Sequence, residues 1–220
     1  LLQKMGAKIE GAGTRKVCIT GVEGLVGAEH TVMHDRLDAG LLMMAGAITG
    51  GDIILKGVVR EHLYVFEAKL QQMGVETIEE GEWLRVRGPT ELSPINVVTT
   101  FYPGFPTDLQ PGMMALACAA KGDSYIRETV FEDRLGHVKN LRAFGAHILP
   151  EKDRLVLVRG PAQLKAAKVK AMDIRAGAAC VLAGLAAEGR TGVHNLYQLD
   201  RGHAHIERRL RGLGADLERL

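Results

Sequence analysis

Three aspartates in this chain share one local setting, each standing just ahead of a helix-like apolar run. They are Asp35 in Asp35-Arg36-Leu37-Asp38, Asp108 in Phe105-Pro106-Thr107-Asp108-Leu109-Gln110, and Asp173 in Asp173-Ile174-Arg175. A carboxylate in that position can cap the helix by accepting its orphan backbone N–H groups. It can also manage the proton of a bound hydroxyl as a general base. Capping is the default reading for any one of them. Asp108 is the exception, because it follows Pro103-Gly104-Phe105-Pro106, a stiff loop of the kind that presents a side chain to a cleft.

Arginines supply the complementary chemistry. Arg134 in Glu132-Asp133-Arg134 and Arg201 in Asp200-Arg201-Gly202 fall at the expected starts of two surface helices. A cation there opposes the helix dipole and is locally unfavourable. The plain alternative is an ion pair with the adjoining aspartate, a nearly neutral surface arrangement. Together with Arg175 they form a candidate anion site, since guanidinium forks match carboxylate and phosphate oxygens.

Other combinations fail. Gly11-Ala12-Gly13 lacks a third glycine and leads into a strand and turn, so it is no dinucleotide fingerprint. His30 and His34 fall in a stretch that reads as extended, which separates them by about 13 Å. His203 and His205 lie two apart on an expected helix and face different ways. No pair of cysteines has zinc spacing. No metal or organic cofactor is supported.

The elements that must position these residues repeat. A helix-like run ending in Gly recurs as Leu2-Gln3-Lys4-Met5-Gly6, Leu70-Gln71-Gln72-Met73-Gly74, Leu141-Arg142-Ala143-Phe144-Gly145 and Leu210-Arg211-Gly212-Leu213-Gly214, with a period of about 70 residues. Each of these glycines reads as a left-handed C-cap. Gly21, Gly88 and Gly160 mark the same period, each following a β-branched run. Gly40–Ala47, Gln110–Ala120 and Arg175–Ala187 carry Ala, Leu and Met without turn residues, as buried helices do. Glu61–Met73, Arg134–Phe144 and Gly202–Leu213 are amphipathic, as surface helices are. Each unit therefore reads strand, buried helix, strand, surface helix and two strands, over 29–92, 95–164 and 165–220. Residues 1–28 read as the tail of a preceding domain. The third unit has room for only one of its two closing strands, Ala215–Leu220, so a partner strand is expected from elsewhere. The chain starts inside a unit without Met, which reads as a piece of a longer protein.

Composition bounds the function classes. The chain has 220 residues, 46% of them hydrophobic, which is enough for a substantial core. A net charge of +2 with 5% aromatics gives neither the basic face nor the stacking platform of a nucleic-acid binder. The longest apolar stretches are too short to span a bilayer. Cys18, Cys118 and Cys180 are odd in number and set in apolar runs, which predicts buried free thiols and a reducing cytoplasm.

Four separated motifs give the chain a resemblance. Gly104-Phe105-Pro106-Thr107-Asp108-Leu109-Gln110 is followed by Glu128-Thr129-Val130-Phe131-Glu132-Asp133-Arg134. Asp173-Ile174-Arg175-Ala176 comes next, then Leu182–Gly189 and Leu199-Asp200-Arg201-Gly202. In this order they resemble UDP-N-acetylglucosamine 1-carboxyvinyltransferase, the enolpyruvyl transferase that opens peptidoglycan synthesis, across essentially the whole chain. The resemblance implies an α+β fold, an α/β prism (inside-out barrel) of three βαβαββ units, and places residues 29–220 as the C-terminal domain. It implies Asp108 as base or orienter for the sugar 3-hydroxyl. Val130 would touch the nucleotide sugar through its backbone, with Phe131 beside it. Arg134, Arg175 and Arg201 would line the cleft, Arg201 nearest phosphoenolpyruvate, with Asp173 holding neighbouring groups. The implied partners are UDP-N-acetylglucosamine, phosphoenolpyruvate and a missing N-terminal domain bearing the general acid, with no nucleic acid and no membrane. The fragment alone is expected to be inactive.

The chain departs from the family pattern in places. Pro111-Gly112 stands for Ala-Gln, Gly177 for Ser and His203 for Tyr. Two alternatives are weighed: the related transferase acting on shikimate 3-phosphate, against which the Phe105–Gln110 and Val130–Arg134 motifs argue, and a non-catalytic paralogue that binds the nucleotide sugar.

Overall fold

The computed structural model describes residues 1–220, which divide into two compact units, Leu1–Met33 and His34–Leu220. The first holds a small antiparallel pair, β1 (Lys8–Glu10) and β2 (Cys18–Thr20). Every side chain of β2 is exposed, and that overturns one expectation: Cys18 is not buried. A three-residue strand paired on one edge has no second layer to cover it.

The second unit starts its first repeat with α1 (Arg36–Thr49), followed by β3 (Asp52–Lys56), α2 (Tyr64–Gln72), β4 (Glu76–Glu80) and β5 (Trp83–Arg87). These strands form one antiparallel sheet in the order β3-β5-β4. The expected strand ahead of α1 is absent, for Val32 and Met33 are exposed and no chain pairs with them.

The second repeat is complete. It runs β6 (Asn96–Val98), α3 (Gln110–Ala119), β7 (Asp123–Arg127), α4 (Val138–Ala143), β8 (His147–Pro150) and β9 (Leu155–Arg159). β6 and β7 are parallel, as a strand–helix–strand crossover requires, and β9 and β8 add antiparallel to give the order β6-β7-β9-β8.

The third repeat begins alike, with β10 (Lys168–Lys170), α5 (Ile174–Ala186) and β11 (Gly192–His194), again a parallel pair around a helix. It ends in two short helices, α6 (Tyr197–Asp200) and α7 (Ile206–Gly212). Residues 213–220 form no strand, so the expected closing strand is corrected. The sheet remains two-stranded, and nothing pairs with these residues to make a ladder.

Why the glycines recur is visible in the backbone. Gly6, Gly74, Gly145 and Gly214 have φ of +98°, +95°, +93° and +98°, where a Cβ is strained. The following N–H groups reach back to the motif leucines: Ala7 to Leu2 at 3.0 Å, Val75 to Leu70 at 3.1 Å, Ala146 to Leu141 at 3.3 Å, and Ala215 to Leu210 at 3.0 Å. That six-to-one bond is a Schellman cap, made four times by one motif.

The core is three helices. α3 and α5 pack on each other and both pack on α1. From Gln110 to Cys118 every residue of α3 is buried, so it shows no polar face at all. Small residues permit the close approach. A Cβ on Gly177 would lie 1.8 Å from Leu199 Cδ1, so a side chain of α6 fills the space beside this glycine.

Candidate functional site

The site grows from the loops that leave β6 and β7 and from the N-terminus of α5. Between β6 and α3, Phe105 is buried against Phe66, ring centroids 5.9 Å apart. This anchors a 3₁₀ turn, Thr107–Leu109, that lifts Asp108 into solvent reach. α3 starts without any side-chain cap, and Asp108 accepts no backbone N–H. The capping reading therefore fails for Asp108. It holds for Asp35, which accepts from Leu37 N at 2.8 Å, and for Asp173, which accepts from Arg175 N and Ala176 N, both at 2.9 Å.

Asp108 is instead the centre of an ionic cluster. Arg134 donates to it directly, and Arg175 Nη1 lies 3.8 Å away. Arg175 also donates to Asp173 at 2.7 Å. The guanidinium of Arg134 sits over the Phe131 ring, 4.3 Å from its centroid, which fixes the plane of the fork. Four sequence-derived candidates thus converge, with Phe131 as their platform. Arg134 Nε and Arg175 Nη1 are buried without a hydrogen-bond partner in the protein, although buried donors are rarely left so.

Arg201 stands apart. Its one side-chain hydrogen bond runs to Gln198 Oε1 at 3.1 Å, and it makes no ion pair. The expected placement of both arginines at helix starts is corrected. Arg134 lies in the loop four residues before α4, and Arg201 follows the C-terminal end of α6, where a cation is favoured. The Asp200 carboxylate pairs with Arg219 rather than with Arg201.

Beside Asp108 lies a cavity of about 150 Å³ lined by Leu37, Leu41 and Met44 of α1, Leu109 and Gly112 at the start of α3, and Ile174, Arg175 and Ala178 of α5. Its wall is mostly apolar, with Asp108 and Arg175 as the charged groups at one side. His203 forms another part of the wall. It is buried rather than helical, and its Nδ1 lies 2.9 Å from Asp38 Oδ1. Burial alone would raise the Asp38 pKa, but the hydrogen bonds from His203 and Arg209 outweigh it and hold the carboxyl at about 2. This tie between first and third repeats was missed in the sequence, where the partners are 165 residues apart.

His137, buried at the entry to α4, is a second unforeseen member. Its Nε2 has no partner, and burial pushes its imidazole down to about 4 against the opposing charge of Asp173. Cys118 and Cys180 are buried free thiols, pushed up by burial to about 12 and 11, and so are not nucleophiles. No group of three or more His, Cys, Asp or Glu side chains converges as a metal site would need. No helix is long and apolar enough to cross a membrane.

Several known proteins are similar to this chain over its whole length. The chain is 52% identical over 219 residues to UDP-N-acetylglucosamine 1-carboxyvinyltransferase 1 of Halalkalibacterium halodurans, covering 100% of this chain and 50% of that protein. It is 47% identical to the enzyme of that name from Myxococcus xanthus, covering 100% and 52%. The chain thus spans about half the length of the curated relatives it matches. The enolpyruvyl transferase NikO from Streptomyces tendae superposes with a TM-score of 0.85 at 30% identity, over 97% of this chain and 51% of that one. EPSP synthase from Acinetobacter baumannii superposes at 0.73 with 19% identity, over 99% and 54%, and shows the shared α/β prism fold. Residues 1–210 match the family described as EPSP synthase (3-phosphoshikimate 1-carboxyvinyltransferase), so the chain belongs to that family of enolpyruvyl transferases.

Proposed function

We propose that this chain is the C-terminal domain of a cytoplasmic enzyme that moves the enolpyruvyl group of phosphoenolpyruvate to the 3-hydroxyl of UDP-N-acetylglucosamine, the opening step of peptidoglycan synthesis. One observation carries the reading: Asp108 is held by two arginines whose buried N–H groups Arg134 Nε and Arg175 Nη1 have no protein partner. A half-exposed carboxylate within an open guanidinium cluster suits a substrate that brings both an oxyanion and a hydroxyl proton. The level of likeness favours the nucleotide sugar over shikimate 3-phosphate, since relatives named for the former are 46–52% identical and an EPSP synthase only 19%.

In this reading Asp108 takes or orients the proton of the sugar 3-hydroxyl, whose oxygen adds to C2 of phosphoenolpyruvate while C3 gains a proton. Loss of a C3 proton with the C2–O bond to phosphate then leaves an enolpyruvyl ether and inorganic phosphate. Arg134, Arg175 and Arg201 hold the anionic oxygens, with Asp173 fixing Arg175. The backbone of Val130 and the Phe131 ring hold the nucleotide sugar. No side chain of this cluster is assigned to protonate C3, and that role falls to the N-terminal domain.

The test is phosphate release from phosphoenolpyruvate by the intact protein, with and without UDP-N-acetylglucosamine. Nucleotide-sugar-dependent release is expected, cut about 100-fold or more by Asp108→Asn with folding retained. No release from the intact protein, or near-normal turnover by Asp108→Asn, overturns the reading.

A further inference from the structure

The carboxylate of Glu128 is the least solvent-exposed acidic group in the molecule, at 1% relative exposure, and no cation pairs with it. It stands one residue past β7 and joins the two loops that carry the site. Its Oε1 accepts from Val130 N at 2.8 Å and from Phe131 N at 3.1 Å. Its Oε2 accepts from Thr107 Oγ1 at 2.8 Å, and Thr107 precedes Asp108 in the chain. A second clasp lies alongside, where Thr129 N donates to Thr99 Oγ1 at 2.9 Å and the Thr129 hydroxyl donates to Thr99 O.

Burying a carboxylate is costly unless strong donors replace its hydration, and here three donors do so. All three belong to the loops of the candidate site. They also close a ring: Asp108 joins Thr107 through the chain, Thr107 joins Glu128, Glu128 joins Phe131, Phe131 carries Arg134, and Arg134 returns to Asp108. Such a ring leaves Asp108 little freedom to move relative to the Val130–Phe131 backbone.

We infer that Glu128 is a positioning residue, a rigid strut that sets the distance between Asp108 and the Val130–Phe131 backbone, and with it the register of a bound sugar nucleotide. This rests on the proposed function, in which those two groups hold one substrate. Glu128 touches no substrate. It acts by keeping the hydroxyl-handling carboxylate and the sugar-binding backbone at one spacing, and misplacement by about 1 Å can lower turnover 100-fold.

The experiment uses the intact protein, with phosphate release and thermal melting as readouts. Glu128→Ala strands two backbone N–H groups and is liable to misfold, so the informative variants are Thr107→Val, which cuts one arm of the strut, and Glu128→Gln. Each is expected to lower kcat about 10-fold or more, with KM for phosphoenolpyruvate within about twofold and a melting temperature within about 4 °C of wild type. Thr107→Ser, which keeps the hydroxyl, restores turnover. In an Asp108→Asn background, adding Thr107→Val costs less than about twofold more, because the strut acts through Asp108. An active wild type with Thr107→Val and Glu128→Gln equally active overturns the strut and leaves the function standing. Full additivity with Asp108→Asn overturns it as well, by showing a merely structural effect. A wild type that releases no phosphate overturns the function, and the strut falls with it.

Discussion

The second and third repeats begin with the same grammar and end in different physical states. Each starts with a parallel strand pair around a buried helix, and each then offers an Asp-Arg pair, Asp133-Arg134 and Asp200-Arg201. In the second repeat two more strands complete the sheet. There Arg134 is mostly covered, stacked on Phe131 and bonded to Asp108. In the third repeat the sheet stops at two strands, and the matching arginine is exposed and holds only Gln198. Identical dipeptides thus give one preorganised cation and one loosely held. What separates them is the support around them rather than the motif itself.

The strongest way to break that comparison is to attack the support of the second repeat. Gly160 lies against the end of α3, where an added Cβ would meet Ala120 O at 2.2 Å and Ala117 O at 3.0 Å, both backbone atoms that cannot swing away. Gly160→Ala is expected to cost about 3 kcal/mol or more, measured by urea unfolding. Gly88 makes the same contact in the first repeat, with Gly46 O at 2.4 Å, while Gly21 has nothing within 4 Å. Gly21→Ala is therefore expected to be silent, and equal costs at Gly21 and Gly160 would remove the packing explanation for this periodic glycine.

Sheet completion makes the next largest difference. β7 is paired on both edges, by β6 and β9, whereas β10 and β11 have only each other. Amide exchange in this chain should be about 100-fold slower on β7 than on β11, reflecting a higher local opening energy. Equal protection would mean that the third repeat is as cooperative as the second.

Much of this frame is legible in the sequence, for stated reasons. The three core helices stand out because their runs lack turn residues, and Gln110–Ala120 differs from the observed Gln110–Ala119 by one residue. Capping glycines are legible because only one residue type tolerates their φ. The surface helices are less so. Arg134–Phe144 shortens to Val138–Ala143 because Arg134 is drawn off to Asp108, and Gly202–Leu213 breaks where His205 takes a φ of +53°. Glu128 cannot be read as a strut, because two of its three donors are backbone N–H groups, which leave no residue signature. The Asp38–His203 contact is illegible for a different reason: nothing local to either residue marks its partner.

A titration sharpens the same comparison. His137, three residues after Arg134, is buried and neutral, whereas the residue three after Arg201 is the exposed Ala204. Because burial depresses the His137 pKa from 6.5 to about 4, the folded state binds fewer protons than the unfolded state between those values. Its contribution is therefore intact above pH 6.5 and is lost as pH falls toward 4, at up to about 1.4 kcal/mol per pH unit. Asp38, held at about 2 against an ordinary 3.8, loses its contribution mainly as pH falls from about 3.8 toward 2, below most of the His137 window. Urea midpoints from pH 7 to pH 4.5 should fall less steeply for His137→Gln than for wild type. Parallel slopes would show that His137 gains a proton without cost, and that its pocket is wetter than its burial indicates.

The smallest expected effect on stability is the one that most sharply separates the two arginines. Arg134→Lys keeps the charge but loses the flat face on Phe131 and the guanidinium bond to Asp108, which should cost about 1–2 kcal/mol. Arg201→Lys removes one exposed hydrogen bond and should shift stability by less than about 0.5 kcal/mol. Neutralising Arg201 should bring no gain either, because the cation sits past the C-terminal end of α6 and not at a helix start. Its use must then appear with ligand. In the intact protein Arg201→Lys should weaken phosphoenolpyruvate binding by about 1.5–3 kcal/mol, the worth of charge-assisted bonds that a point charge cannot form bidentately. Binding of UDP-N-acetylglucosamine alone should change little. Calorimetric titration of each ligand against wild type and variant reads this directly. Normal phosphoenolpyruvate affinity in Arg201→Lys would leave the third repeat's arginine an ordinary surface residue, and would place the anion site wholly on the preorganised cluster around Asp108.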